Sequence, residues 1–241
     1  MIKAIPFRNC DGCPIRHRAI CATCDGDEFV QLEAMKYYRS YSAGQTIMWA
    51  GDRMEFVASV VAGTATIQHL VEDGRKQTVG LLLPSDFLGR PGREIALYDV
   101  TAVTDVTLCC FRRGEFEKLV TNTPHIAQRM LAMALDELDA ARDWMFLLGR
   151  KTALERIASF LLLIQRRTVS TDGLVVPQPT PVSLPLTREA MSVYLGLTLE
   201  TVSRQFSKLK ADGIIEYASK REIIIPDVAA LRNVAGESAA H

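Results

Sequence analysis

The six cysteines of this 241-residue chain are its best candidates for chemistry, and four of them crowd into FRNCDGCPIRHRAICATCDGDEF. Cys10 and Cys13 form one C-x2-C pair, Cys21 and Cys24 form a second, and seven residues lie between the pairs. Gly12, Pro14 and Gly26 mark the stretch as loop rather than regular helix. A loop of this kind can wrap thiolates around a soft metal centre. Two identities compete. Four cysteines in two pairs would hold one tetrahedral Zn2+, although the separation is short for two ordinary knuckles. Alternatively, three of the four plus one distant cysteine would hold an iron–sulfur cluster. Unligated surface thiols are the plain alternative, and His17 reads as a solvated loop residue. The distant cysteines, Cys109 and Cys110, lie in the alternating stretch Asp105–Phe111, which reads as a strand. Successive strand side chains point to opposite faces. One cysteine then faces the domain interior as a small hydrophobe, and the other can face the N-terminal loop.

The elements that must position these thiols are also legible. A short amphipathic helix is expected from Phe29 to Tyr38. Gly44, Gly51, Gly63, Gly74, Gly80, Gly89 and Gly92 then punctuate apolar stretches such as Phe56–Ala62, Thr64–Leu70 and Lys76–Leu82. That spacing predicts an antiparallel barrel or roll, with Asp73-Gly74 as a two-residue hairpin turn and Asp105–Phe111 as the last strand. Thr123-Pro124 starts a long helix that no Pro or Gly interrupts until Gly149. Leu131, Ala134, Leu138, Ala141, Met145 and Leu148 recur along it at spacings of three and four, a heptad seam. Ile126, Met130, Met133 and Leu135 widen the apolar surface near its start. One apolar face can pack on its own domain. A second points to a partner, most simply the same helix of another copy. The small Ala134 and Ala141 allow close approach without strong affinity, as an adjustable dimer helix requires.

Thr152–Arg167 reads as another amphipathic helix, and Thr168–Pro185 as a segment holding a small β turn or hairpin. Leu186–Gly196 gives a short helix capped by Thr187, and Thr198 caps a second that runs to about Asp212. Helix, glycine turn, helix is helix-turn-helix geometry. The second helix exposes Glu200, Ser203, Arg204, Lys208 and Lys210, and turns Val202, Phe206 and Leu209 inward. Gly213–Ile225 follows as a hairpin with Ser219-Lys220 at its tip, so the motif is winged.

Net charge is zero, but its distribution is uneven: residues 1–149 carry 16 basic and 19 acidic side chains, and residues 150–241 carry 12 and 9. A mildly basic C-terminal part suits phosphates if its charge gathers on one face. No apolar run approaches the roughly 18 residues that span a bilayer, and no signal pattern opens the chain. A soluble, cytoplasmic protein is expected, a setting that argues against structural disulfides. G-x-S-x-G, H-E-x-x-H and P-loop motifs are all absent, so an enzyme is not expected. His17, His69, His125 and His241 are scattered.

LTREAMSVYLGLTLETVSRQFSKLKADGII resembles the helix-turn-helix signature of the Crp/Fnr superfamily of bacterial transcription regulators, and YSAGQTIMWAGD followed by VVAGTATI is similar to its glycine-punctuated β-roll. The resemblance covers essentially the whole chain. Three features resemble the oxygen-sensing FNR branch, and its FnrN/FnrL-type members in particular. These are the spacing Cys10-x2-Cys13-x7-Cys21, a cysteine in the strand before the long helix, and Leu199-Glu-Thr-Val-Ser-Arg204 with its E-x-x-S-R. Cys24 and Cys110 have no counterpart in that pattern. Ser85–Gly92 lacks the Gly-Glu and Arg-Ser pair with which the cyclic-AMP branch holds its nucleotide phosphate, so no cyclic nucleotide is expected.

The resemblance implies an α+β fold: a cyclic-nucleotide-binding-like β-roll, a long dimerisation helix and a C-terminal winged helix-turn-helix. In this chain the expected parts are a cluster-binding loop at 1–28, the roll at 29–123, the dimerisation helix at 124–150 and the DNA-binding domain at 151–241. The resemblance also implies a [4Fe–4S] cluster on Cys10, Cys13, Cys21 and Cys109, with Leu-Cys-x-Phe aligning Cys109 rather than Cys110. Oxygen would convert the cluster and release the dimer. Implied partners are a second copy, RNA polymerase and double-stranded DNA carrying an inverted TTGAT-N4-ATCAA-like repeat, with no membrane involved. Arg204 can donate two hydrogen bonds to guanine and Glu200 can accept from cytosine, while Ser203 can contact a base edge or a thymine neighbourhood. The alternative is a regulator of the same fold that senses nitric oxide or thiol oxidation, its cysteines unligated or zinc-bound.

Overall fold

The computed structural model describes residues 10–70, 76–169 and 181–237. Contacts divide the chain into two units at Leu138, a point inside one long helix. In the first unit, α1 spans Gly26–Met35. Asp25 starts it with a capping box: its carboxylate accepts from the Glu28 amide at 3.0 Å, and the Glu28 carboxylate accepts from the Asp25 amide at 2.9 Å. The helix therefore begins earlier than the expected Phe29. It ends before Tyr37 because Tyr37 and Tyr38 already belong to a strand.

Eight strands follow: β1 Tyr37–Tyr41, β2 Thr46–Met48, β3 Phe56–Ala62, β4 Ala65–Leu70, β5 Lys76–Leu82, β6 Phe87–Leu88, β7 Asp99–Ala102 and β8 Val106–Arg112. They form two antiparallel sheets in the orders β1-β8-β3-β6 and β2-β7-β4-β5. β4 and β5 pair as a hairpin requires, and the expected Asp73-Gly74 turn lies outside the described residues. The expected Thr168–Pro185 hairpin falls largely outside them too.

Alternation in the first sheet produces two cores. Phe56, Ala58, Val60, Val106, Leu108 and Cys110 face the second sheet and share one core with Ile47, Ala65, Leu82 and Val100. Val57, Val61, Cys109 and Phe111 point the other way and form a second core with Ile15, Ala19, Ile20, Leu32, Phe116 and Ile126. β3 is buried on both faces, which is why FVASVVA reads as a continuous apolar run. Gly63 closes the β3–β4 corner at φ +84, where a Cβ would stand 2.1 Å from the Asp105 carbonyl oxygen, so the position requires glycine.

β8 does not lead directly into the long helix. An intervening helix, α2 (Arg113–Asn122), buries Phe116 and Leu119 beneath the sheet. Its sequence RGEFEKLVTN offers few core positions and no side-chain cap, which hid it from periodicity. The long helix, α3, spans Pro124–Arg150 as expected.

In the second unit, α4 (Ala153–Val169), β9 (Val182–Ser183), α5 (Arg188–Leu195), α6 (Leu199–Ala211), β10 (Glu216–Tyr217), β11 (Glu222–Ile224) and α7 (Val228–Ala235) follow the end of α3. Thr187 and Thr198 cap α5 and α6, accepting from the Ala190 and Thr201 amides at 3.1 Å each. Gly196 ends α5 in the left-handed conformation. β9 completes the wing sheet in the order β10-β11-β9. Trp144 stacks on Tyr194 with ring centroids 4.0 Å apart.

Arg156 holds three pieces of this unit together. Its guanidinium donates to the carbonyls of Leu148 at 2.8 Å, Lys151 at 3.0 Å and Leu195 at 3.1 Å. These carbonyls lie at the ends of α3 and α5, where helix dipoles favour a cation. Arg156→Ala is expected to destabilise the second unit by about 1.5–3 kcal/mol. Urea unfolding read by Trp144 fluorescence, in a Trp49→Phe background, measures it. An unshifted midpoint would show that the three carbonyls find water equally well.

Candidate metal centre

Both C-x2-C pairs are closed by tight turns, with the Cys13 amide donating to the Cys10 carbonyl at 3.2 Å and the Cys24 amide to the Cys21 carbonyl at 3.3 Å. Between the turns, Ile15, Ala19 and Ile20 are buried in the second core. The loop is therefore packed by its own apolar residues, a feature its polar appearance concealed. Arg129 of α3 braces it by donating to the carbonyls of Ala19, at 3.3 Å, and Arg18. Arg16 lies over the Phe29 ring at 4.1 Å.

The loop, α1 and the outer face of the first sheet enclose a cavity lined by Cys10, Cys13, Cys21 and Cys109, together with Lys36, Tyr38, Ser59 and apolar side chains. Cys24 and Cys110 do not line it. Cys24 stands near Cys21, Glu28 and Asp25, and Cys110 lies in the core between the sheets. The donor set is four thiols in an apolar pocket, which fits a soft, electron-rich group. Among the described residues no three cysteine sulfurs fall within 4.8 Å of one another. A single tetrahedral Zn2+ needs sulfurs about 3.8 Å apart. Four lining thiols are the number that a cubane iron–sulfur cluster takes.

Burial sets the electrostatics. It raises the Cys10 and Cys13 thiols above their ordinary range and pushes Cys21 up to about 11, with the nearby Cys13 and Cys10 adding to the effect. Cys24 and Cys110 rise to about 12, and Cys109 rises further, first by burial and then through Cys10, Cys13, Cys110 and Cys21. A metal must therefore displace protons to bind. Lys36 offers the compensating charge. Its side chain is 9% exposed, its ammonium donates to Glu33 at 2.9 Å, and Glu33 also accepts from the Cys10 amide at 2.9 Å. Sequence reasoning missed Lys36, Ser59 and Arg129, because nothing local to them signals the cavity.

The other expected site residues fall in two places. On α3, Ile126, Met130 and Met133 pack in the second core, whereas Leu131 is 62%, Leu138 45% and Met145 64% exposed. Ala134 and Ala141 are exposed beside them, and Leu148 is half-buried within the second unit. On α6, Glu200, Ser203 and Arg204 are all exposed, opposite the buried Val202, Phe206 and Leu209. Lys208 pairs with Asp212 at 2.9 Å.

A family model described as a Crp-like helix-turn-helix domain matches residues 155–234, and one described as a cyclic nucleotide-binding domain matches residues 38–123. The chain is 60% identical to the transcriptional activator protein FnrL of Cereibacter sphaeroides, over 96% of this chain and 93% of that one. It belongs to the Crp/Fnr family of transcription regulators. Another family member, the nitrogen fixation regulation protein FixK of Bradyrhizobium diazoefficiens, is 36% identical over 86% of this chain and 85% of its own. The solved structure of FixK2 from Bradyrhizobium japonicum superposes with a TM-score of 0.74 at 34% identity, covering 86% of this chain and 99% of that one. The family fold, a β-roll, a long helix and a helix-turn-helix, is the one described above.

The raised thiols fix a sign for pH dependence. A folded-state value above the unfolded one stabilises the metal-free fold below about pH 9 and is lost as pH rises toward 11–12. The thiolate is the reactive form. In metal-free protein at pH 7.5, iodoacetamide should modify Cys10 and Cys13 first and Cys109 and Cys110 last, and every rate should climb with pH. Peptide mapping measures the order, and modification of Cys109 as fast as a free peptide thiol would contradict its burial.

Proposed function

We propose that this protein is an oxygen-responsive transcription regulator in which Cys10, Cys13, Cys21 and Cys109 hold a [4Fe–4S] cluster. The observation that carries the reading is the cavity. Four of the six cysteines line it, three from the loop and one from β8, and they are the four that match the FNR pattern. When bound, the cluster supplies an oxygen-labile set of iron–thiolate bonds between loop and strand.

The chain's own residues relay the state of that tie to α3. Arg129 grips the Arg18 and Ala19 carbonyls, and Ile126, Met130 and Met133 pack against the same core as Ile15 and Ile20. The adjoining, exposed face of α3 presents Leu131, Ala134, Leu138, Ala141 and Met145 to a second copy. Self-association changes tenfold for each 1.4 kcal/mol or so, so a small shift in how the loop braces α3 is enough to control a seam of mixed leucine and alanine. In the dimer, two α6 helices would enter successive major grooves of an inverted repeat of TTGAT half-sites. Arg204 would read guanine and Glu200 cytosine, Ser203 would touch a base edge, and RNA polymerase would be the partner at the promoter. The curated relatives named as transcriptional activators support activation as the output.

Protein purified without oxygen should be brown, carry about four irons and matching sulfide per chain, and bleach in air while shifting from dimer to monomer. A colourless protein that is dimeric with or without air would move the cysteines to zinc or thiol chemistry. Arg129→Ala should keep its iron, yet its dimerisation constants with and without the cluster should converge. A persistent difference in sedimentation equilibrium would remove Arg129 from the relay. Arg204→Ala should lose about 1–3 kcal/mol per half-site contact with iron content unchanged, and intact operator discrimination in a binding titration would refute the base contact.

A further inference from the structure

Ser59 carries a polar group that neither the fold nor the ligand set explains. It lies on β3, directly opposite Cys109 in the antiparallel register. Cross-strand partners share a face of the sheet, so both side chains point into the second core. The Ser59 side chain lines the cavity beside Cys10, Cys13, Cys21 and Cys109. It is 2% exposed, and its Oγ has no hydrogen-bond partner among the described residues. A buried hydroxyl without a partner costs about 1–3 kcal/mol, and native proteins rarely leave one. Alanine or valine would suit the apolar neighbours Val57, Val61 and Phe111 better. The hydroxyl is therefore left free to donate into the cavity.

The geometry points to Ser59 as a positioning residue that donates a hydrogen bond to the sulfur of the metal centre, the Cys109 thiolate or a cluster sulfide, and thereby tunes its redox poise. The inference rests on the cluster reading above. A hydroxyl donor stabilises the more electron-rich state of iron–sulfur groups, as outer hydrogen bonds to metal ligands generally do. Removing it lowers the potential for one-electron reduction and makes the resting centre easier to oxidise. Lys36, which also lines the cavity, acts in the same sense by placing a cation near Cys10.

The test compares wild type, Ser59→Ala and Ser59→Thr, all purified without oxygen and matched for iron and sulfide. Two quantities are read: the midpoint potential by anaerobic titration with dithionite and mediators, and the rate of bleaching in buffer of fixed oxygen content. Ser59→Ala is expected to shift the one-electron equilibrium toward the oxidised form by up to tenfold, about 59 mV, and to bleach several-fold faster. Ser59→Thr, which keeps the hydroxyl, is expected to return both readings to near wild type. Cluster-loaded Ser59→Ala with unchanged potential and unchanged bleaching would overturn the inference. Equal shifts in Ser59→Ala and Ser59→Thr would also overturn it, since packing rather than the hydroxyl would then be responsible. Wild-type protein that carries no iron would fail the cluster reading itself, a separate and recognisable result. Melting of the metal-free proteins keeps folding apart from tuning, because Ser59→Ala removes an unsatisfied polar atom and should not unfold the chain.

Discussion

The two-residue alternation of the β3–β8 pair is the constraint on which the rest of the first unit depends. These strands are buried on both faces, so each side chain is committed to one of two cores. Cys110 goes to the interior between the sheets, and Cys109 goes to the core that the N-terminal loop closes. A one-residue slip would exchange them. The register also sets Ser59 opposite Cys109, and the Gly63 corner pins the end of β3 against Asp105. A rigid strand thus presents one thiol to a loop that presents three.

Charge is handled in the same confined space. The thiols are held protonated by burial, the Lys36 ammonium is held charged by Glu33, and apart from Tyr38 and Ser59 the remaining lining is apolar. Low-dielectric surroundings amplify each of these interactions. The pocket therefore resists isolated thiolates and accepts negative charge when it is shared over several sulfurs and a metal.

Much of this was legible in the sequence, and the exceptions have physical causes. The cysteine spacing, the glycine-punctuated strands, the uninterrupted run from Pro124 and the threonine-capped pair of helices all carry local signals, and the corresponding elements stand where those signals put them. Alternation established that Cys109 and Cys110 diverge, but only the tertiary fold reveals which core receives which. α1 starts early because Asp25 and Glu28 cap each other, a detail that periodicity does not weigh. α2 escaped because ten residues with two buried positions make a weak pattern. Arg129, Lys36 and Ser59 are ordinary residues in sequence: Arg129 acquires meaning through carbonyls 110 and 111 positions away, Lys36 through its place beside Cys10, and Ser59 through its register opposite Cys109. α7 beyond the wing carries a local signal in Asp227, which caps it by accepting from the Ala229 and Ala230 amides, but eight residues with two buried positions make a weak pattern.

The hydrophobic packing inside the cysteine loop has a further consequence. Ile15 and Ile20 are 2% exposed, and burying side chains of that size is worth about 1.5–3 kcal/mol each. That anchorage does not depend on any metal bond. On the proposed reading, the loop would stay moored after a cluster was lost, its sulfurs still gathered around the cavity, so that repair would need only fresh iron and sulfide and not a new round of folding.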